Sequence, residues 1–184
     1  YAFLTGGIAG LLTGIINVKF KVRDLFSGII TMTGLYSINL RIAGRANVPI
    51  FNLDTIFDNT TINSIFSGDI SSYKVVIIAS FIAAIVLIIL GWFLSTEAGY
   101  LIKAAGNNPT FVKSLGINSG NVKIIGLIIA NGLVSLSGSI MMQQQGFFEI
   151  SMGTGAMVIS LASVIIGTNL FKNSSFVVPI LAVV

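Results

Sequence analysis

The sequence predicts an all-α, polytopic transmembrane helical bundle, and three observations predict it. Of the 184 residues, 54% are hydrophobic and only 9% charged, with a mean hydropathy of +0.97, whereas soluble domains carry roughly 25% charged residues. The apolar residues fall in uncharged runs close to the ~20 residues that a helix needs to cross ~30 Å of hydrocarbon. The charged residues occupy the gaps between those runs. A net charge of +4 and a pI near 9.6 would suit a nucleic-acid partner only if Lys and Arg were gathered on a large polar surface. Here they are scattered at the ends of apolar runs, the pattern of topology determinants, and no nucleic acid is expected. Cysteine and histidine are both absent, which excludes disulfides, cysteine nucleophiles, histidine bases and His- or Cys-ligated metals. Because Tyr1 lies inside an apolar run with no charged leader, residues 1–184 read as one transmembrane domain cut from a longer chain at both ends.

Taken in order, Tyr1 to Val18 is the first span, truncated. Gly6, Gly10 and Gly14 recur every fourth residue and so share one helical face, where a neighbouring backbone can approach closely. That face suits either a sliding surface at a translocation path or plain helix packing, and packing is the commoner use. A basic turn, Lys19 to Asp24, leads to a second span, Leu25 to Ile42, in which Arg41 sits near the end. A charge at mid-membrane costs about 2.5–3.5 kcal/mol, but a terminal Arg reaches the interface, so Arg41 and Arg45 are boundary anchors. Residues 43–73 carry Asp54, Asp58 and Asp69 among Asn, Thr and Ser and form the outer loop. Asn59-Thr60-Thr61 matches the glycosylation acceptor pattern, a triplet that chance often supplies. Val75 to Leu94 is uncharged and built mainly of Val, Ile, Leu and Phe, each favouring insertion by roughly 0.3–0.6 kcal/mol. Trp92 and Phe93 mark its interfacial end.

The longest polar interruption in the second half of the chain, Ser95 to Lys123, follows. Within it Asn108 suits an N-cap, Pro109 the first helical position and Gly116 the left-handed residue that ends a helix. About two turns lie between these caps, with Phe111, Val112 and Leu115 expected on one side. So short a helix is marginal alone, and an apolar face outside the membrane calls for a partner surface. The chain re-enters with Ile124 to Met142, where Asn131, Ser135 and Ser139 share a face at four-residue spacing. Polar groups in hydrocarbon need partners, which interhelical hydrogen bonds or a solute pathway supply equally well. Gln143, Gln144, Gln145 and Glu149 form a polar patch beyond that span. Ser151 to Gly155 is rich in Gly and small polar residues, so the chain is expected to be irregular there, giving a broken helix near 150–156 that resumes from about Ala156 to Leu170. Irregular backbone at membrane depth is tolerated where it lines a cavity, which makes Gly153, Thr154 and Gly155 candidates for solute contact beside Asn131, Ser135 and Ser139. A turn at 171–175 and a truncated span from Phe176 to Val184 bring the total to about six.

Counted alternately, the connections 19–24, 95–123 and 171–175 carry Lys19, Lys21, Arg23, Lys103, Lys113, Lys123 and Lys172, against Arg41, Arg45 and Lys74 on the other side. The positive-inside rule makes the first side cytoplasmic and the loop at 43–73 extracellular.

The run Lys103-Ala-Ala-Gly-Asn-Asn108-Pro109, followed by Leu115-Gly-Ile-Asn118, resembles the cytoplasmic loop of ABC importer permeases of the branched-chain amino acid and ribose type. The resemblance continues through Gly126 to Gly138, Gln145-Gly-Phe147, Met152-Gly-Thr-Gly155 and Leu161 to Gly167. Over about Leu94 to Phe171 it is most similar to the branch whose operons carry a binding lipoprotein, some members being associated with tryptophan or tyrosine. Lys103 stands where relatives usually place Arg. The resemblance implies a multi-pass subunit of the bacterial plasma membrane that pairs with a second permease copy, a cytoplasmic ATPase and an extracellular substrate-binding lipoprotein. It implies alternating access, with Asn108, Pro109, Phe111, Val112, Leu115 and Gly116 coupling the spans to the ATPase. ATP and Mg would be held by that partner, because these residues contain no GxxxxGK[ST] phosphate loop. No cofactor is expected in this chain. An amino acid or related compound is the expected solute, with a sugar or nucleoside as the alternative. A membrane-embedded enzyme lacks a base, a nucleophile pair or a metal set here, and a channel lacks a charged ring or carbonyl filter.

Overall fold

The computed structural model describes residues 1–50, 55–57 and 73–170. In chain order these are α1 (Ala2–Lys19), α2 (Asp24–Ala43), β1 (Asn47–Pro49), α3 (Lys74–Leu94), α4 (Glu97–Asn107), α5 (Pro109–Ser114), α6 (Ser119–Gln145), β2 (Phe147–Glu149) and α7 (Met152–Leu170). Helices stand where the first five spans are expected, and three of them, α1, α3 and α6, are long and apolar enough to cross a membrane. The connection at 171–175, the span from Phe176, most of the 43–73 loop and the Asn59 triplet lie outside the described residues. The helices follow from the composition, because a backbone in hydrocarbon must satisfy its own N–H and C=O groups. α6 has 27 residues, about 40 Å at 1.5 Å per residue, so it exceeds the ~30 Å hydrocarbon core and either tilts or protrudes. α2 and α6 end on glycines in the left-handed conformation: Gly44 (φ 71°) donates to the Leu40 carbonyl at 2.9 Å, and Gly146 (φ 75°) to the Met142 carbonyl at 3.0 Å.

Two expectations are corrected. The chain is not purely helical: β1 and β2 pair antiparallel, with Asn47 opposite Glu149, Val48 opposite Phe148 and Pro49 opposite Phe147. Such a ribbon satisfies backbone groups that emerge from the ends of α2 and α6, and no hydrophobic period announces strands of three residues. Nor is the backbone irregular through Gly153 to Gly155, because α7 starts at Met152 and takes all three into its first turns. The Thr154 amide and hydroxyl both donate to the Ser151 carbonyl, at 3.0 and 2.6 Å. These bonds close the first turn, where glycine is tolerated better than in a helix interior, and the irregular backbone is confined to the turn before it.

α1 packs antiparallel along α6, and the glycine face makes this possible. A Cβ at Gly6 would lie 2.5 Å from the Asn131 carbonyl oxygen, one at Gly10 2.8 Å from Ile128 Cα, and one at Gly14 3.1 Å from Ile124 Cγ1. Farther along the seam Gly120 of α6 faces Val18 of α1, and at the other end Phe3 covers Gly132. Helix backbones in lipid associate through such contact because no hydrophobic force drives them together. α2 joins α1 through polar groups instead. The buried Thr13 hydroxyl donates to Thr31 at 3.0 Å, and Thr31 donates to the Ser27 carbonyl at 2.9 Å.

Both ends of this three-helix group are tied. At one end buried Asn17 donates to the Val22 carbonyl (2.8 Å) and to the Asp24 carboxylate (2.6 Å), and Lys123 reaches the same carboxylate oxygen at 2.6 Å. The 19–24 turn and the start of α6 therefore share an end, as alternate counting of spans requires. At the opposite end lies the ribbon, where Ile50 N–H donates to the Gly146 carbonyl at 2.8 Å and Ile56 N–H to Gln143 Oε1 at 3.0 Å. Hydrogen bonds from Lys123 and Asn17 hold the Asp24 carboxyl below its ordinary 3.8.

Two outcomes are expected. Gly10→Val should lower stability by about 1–3 kcal/mol, the usual cost of overpacking a tight contact, while Gly34→Ala, whose Cβ meets nothing within 4 Å, should be neutral or slightly stabilising; thermal unfolding in detergent reads both. A lowered folded pKa makes the Asp24 contribution complete above 3.8 and lost as pH falls through the lower folded value. The stability difference between the parent and Asp24→Asn should therefore be largest at neutral pH, at most about 1 kcal/mol for so exposed a pair, and should vanish in acid.

Candidate functional site

The candidate site is the helical hairpin between α3 and α6. It begins with a tight turn at Thr96, whose hydroxyl donates to the Phe93 carbonyl at 2.6 Å and whose oxygen faces the Gly99 amide at 3.4 Å. Gly99 is buried against the end of α3, and a Cβ there would lie 2.5 Å from the Phe93 carbonyl oxygen, so only glycine lets α4 fold back this sharply. Along α4, Lys103 Nζ sits 5.5 Å from the centre of the Tyr100 ring, within cation–π range.

α5 is built as its sequence predicts. Asn108 Oδ1 accepts from the Thr110 and Phe111 amides at 3.1 and 3.2 Å, and Pro109 at the first position has no N–H to satisfy. At the other end Gly116 (φ 76°) donates to the Lys113 carbonyl at 3.0 Å and Ile117 to the Val112 carbonyl at 3.3 Å, the paired bonds of a Schellman stop. The caps hold six residues in helix, far below the length at which a helix persists alone.

Its three apolar residues do not share one face. Val112 is completely buried in the chain itself, while Phe111 and Leu115 remain 53% and 54% exposed. Residues 111 and 115 lie about 40° apart on a helical wheel but 111 and 112 about 100° apart, so one flank seats the helix and the other looks outward. Beneath the hairpin is a cavity of about 590 Å³ lined by residues that include Asn17, Ile102, Pro109, Ser119, Lys123 and Leu127. The site therefore touches α1, α4, α5 and α6 together.

The polar row on α6 lies elsewhere. Asn131 donates to the Leu127 carbonyl at 3.0 Å and Ser139 to the Leu136 carbonyl at 2.9 Å, both bonds within their own helix. Ser135 is pressed against Gly6. All three are half-buried, and Asn131 and Ser135 lie on the seam that α1 occupies. Gly153, Thr154 and Gly155 are exposed at the start of α7, and a Cβ on either glycine would meet nothing within 4 Å. No hydrogen bond among the described residues joins these to the α6 row. An apolar groove of about 440 Å³ runs between α3 and the α1–α6 pair, past Phe3, Ile89, Trp92, Phe93, Leu133 and Leu136.

Sequence reasoning did not single out Thr13, Asn17, Ser27 and Thr31, the buried polar residues of α1 and α2. Their signal is present, since 13 and 17, and 27 and 31, are each four apart and share a helical face. It is hidden because Ser and Thr also satisfy themselves on their own helix.

Comparison with known proteins adds the following. The chain is 45% identical over 183 residues to a tyrosine transport system permease protein of Clostridioides difficile (strain R20291), covering 100% of this chain and 58% of that protein. It is 32% identical over 174 residues to an uncharacterized protein of Rickettsia prowazekii (strain Madrid E), covering 95% and 59%. A shorter match, 34% identical over 87 residues, covers 46% of this chain and 27% of the nucleoside ABC transporter permease protein NupC of Lactococcus lactis subsp. cremoris (strain MG1363). The chain thus spans somewhat under three fifths of the length of the first two relatives, 58% and 59%. No solved structure matches. The family model for branched-chain amino acid transport system permease components matches residues 1–184, and with apolar helices of membrane-spanning length on the same residues, this chain belongs to that family.

Proposed function

We propose that the chain is the membrane-spanning part of an ABC importer permease subunit, which moves a small solute by alternating access while a separate ATPase supplies the work. The observation that carries this reading is α5: a helix capped at both ends, seated by Val112, with Phe111 and Leu115 left outside. A six-residue element with two purpose-built caps and an outward apolar flank is a contact for another protein's surface. On this reading Asn108, Pro109 and Gly116 shape the element, Val112 anchors it, and Phe111 and Leu115 enter a groove on the ATPase, which alone binds ATP and Mg. The hairpin end, rich in Lys, is cytoplasmic and the ribbon end extracellular, where a substrate-binding lipoprotein would dock. A second permease copy completes the pathway in the bacterial cell membrane.

The solute we infer is an amino acid, supported by the tyrosine permease relative over the whole of this chain. A nucleoside or sugar is the second reading, supported by the shorter match to a nucleoside permease. Solute contacts are assigned to the polar row Asn131, Ser135 and Ser139 and to Gly153, Thr154 and Gly155. Glycines without neighbours among the described residues leave room for a solute to pass close to the α7 backbone, and the α6 hydroxyls and amide offer neutral partners for a zwitterion.

Copurification tests the coupling element. Phe111→Asp and Leu115→Asp in the full-length protein should each abolish recovery of the ATPase encoded beside it, with membrane insertion and expression unchanged; undiminished recovery would refute the docking role. For the pathway, Asn131→Leu should reduce solute uptake roughly tenfold, the worth of about one hydrogen bond, at equal protein level. Full uptake would move the site elsewhere.

A further inference from the structure

We infer that α1 and α6 are one rigid body throughout the working cycle, clamped at the hairpin end by Asp24 and Lys123, so that movement of α5 carries both helices together and neither slides on the other. The inference rests on the permease reading for its cycle, but its structural basis is separate. Gly6, Gly10 and Gly14 bring the α1 backbone against Asn131, Ile128 and Ile124 over three successive helical turns. A slide of one turn, about 5.4 Å, would keep the α1 glycines facing α6, but it would carry Phe3 off Gly132 and Val18 off Gly120, the two α6 glycines at the ends of the seam. Larger α6 side chains would then stand against Phe3 and Val18, which would have to swing aside to clear them. The seam is thus keyed from both helices, with small residues of α1 at its middle and small residues of α6 at its ends.

The clamp favours the same register electrostatically. Asp24 accepts from Asn17 at the end of α1 and from Lys123 in the first turns of α6, both at 2.6 Å. Lys123 also lines the cavity beneath the hairpin with Pro109 of α5. α5 also meets α6 directly, so a push on α5 reaches α6 first, and the Asp24 hydrogen bonds carry it to the end of α1 and to the turn of α2 that bears Asp24. Asp24 is a positioning residue in this scheme and touches no solute.

Residues 18 and 120 allow a direct test, because a Cβ built on Gly120 lies 3.9 Å from Val18 Cβ, within the ~3.5–4.5 Å that a disulfide requires. The chain has no cysteine of its own. In the full-length protein in membranes, Val18→Cys with Gly120→Cys should oxidise almost completely, whereas Val18→Cys with Ile124→Cys, one turn out of register, should not. With the ATPase and binding protein present, oxidised V18C/G120C should keep at least about half the uptake of its reduced form. Uptake lost on oxidation and restored by reductant would overturn the rigid body, as would comparable cross-linking of both pairs. Absence of uptake in the cysteine-free parent would count against the permease reading alone, and the cross-linking pattern would still decide the inference. For the clamp, Asp24→Lys and Lys123→Asp should each uncouple ATP hydrolysis from uptake severalfold while the ATPase still copurifies, and the double exchange should restore coupling. Normal coupling in both single variants would remove the clamp.

Discussion

The structure depends on the close approach of two helix backbones, α1 and α6. In lipid there is no hydrophobic gain from bringing two apolar helices together, so association rests on dispersion contact and on the few polar groups that meet. Three glycines on α1 turn an otherwise ordinary apolar helix into one that reaches the α6 main chain. Several elements are placed relative to that seam: α2 by the Thr13–Thr31 bond, the 19–24 turn by Asn17 and Lys123, and the hairpin by Ile102 against Gly126. α3, in contrast, buries none of its residues and presents Phe81, Ile85 and Ile88 outward. A helix of that kind is suited to face lipid or other apolar helices.

Much of this was legible in the residues, and most of the parts that were not share a cause. Local rules act over one or two turns, and at several positions expectation and structure agree: Asn108 caps, Pro109 opens, Gly116 stops, and α3 runs from Lys74 to Leu94 against an expected Val75 to Leu94. The every-fourth glycine pattern on α1 also gave its packing face, though not its partner. What stayed hidden depends on which distant segment arrives. Val112 turned inward because α5 leans on its own chain, a fact no helical wheel contains. The polar row on α6 was legible as a face, but its neighbour was not: α1 lies against the Asn131 main chain and Ser135 and leaves both residues half-exposed. At Gly153 to Gly155 composition misled, because glycine content was read as a break where a helix start tolerates it.

The hairpin shows how a small element gains rigidity without bulk. α5 cannot hold itself together by helix propensity, so its geometry is set by side-chain and glycine caps and by one fully buried valine. Caps fix the ends at a typical worth of about 1 kcal/mol each, and the long helices on either side give the element something stiff to act on. The reading as a force-transmitting contact therefore rests on construction rather than on size.

The Asp24–Lys123 pair has a consequence for biogenesis. Its members are 99 residues apart in sequence, and the ribbon that closes the opposite end joins residues 47–49 to 147–149, a similar separation. At about 5–20 residues per second of synthesis, the first helix enters the bilayer on the order of 5–20 s before its partner exists. During that interval its glycine face and the Thr13 and Asn17 side chains have no α6 to meet. The newly inserted helix is thus a client in waiting, open to whatever helix the insertion machinery or a chaperone offers, and correct assembly is a question of timing as well as of fit.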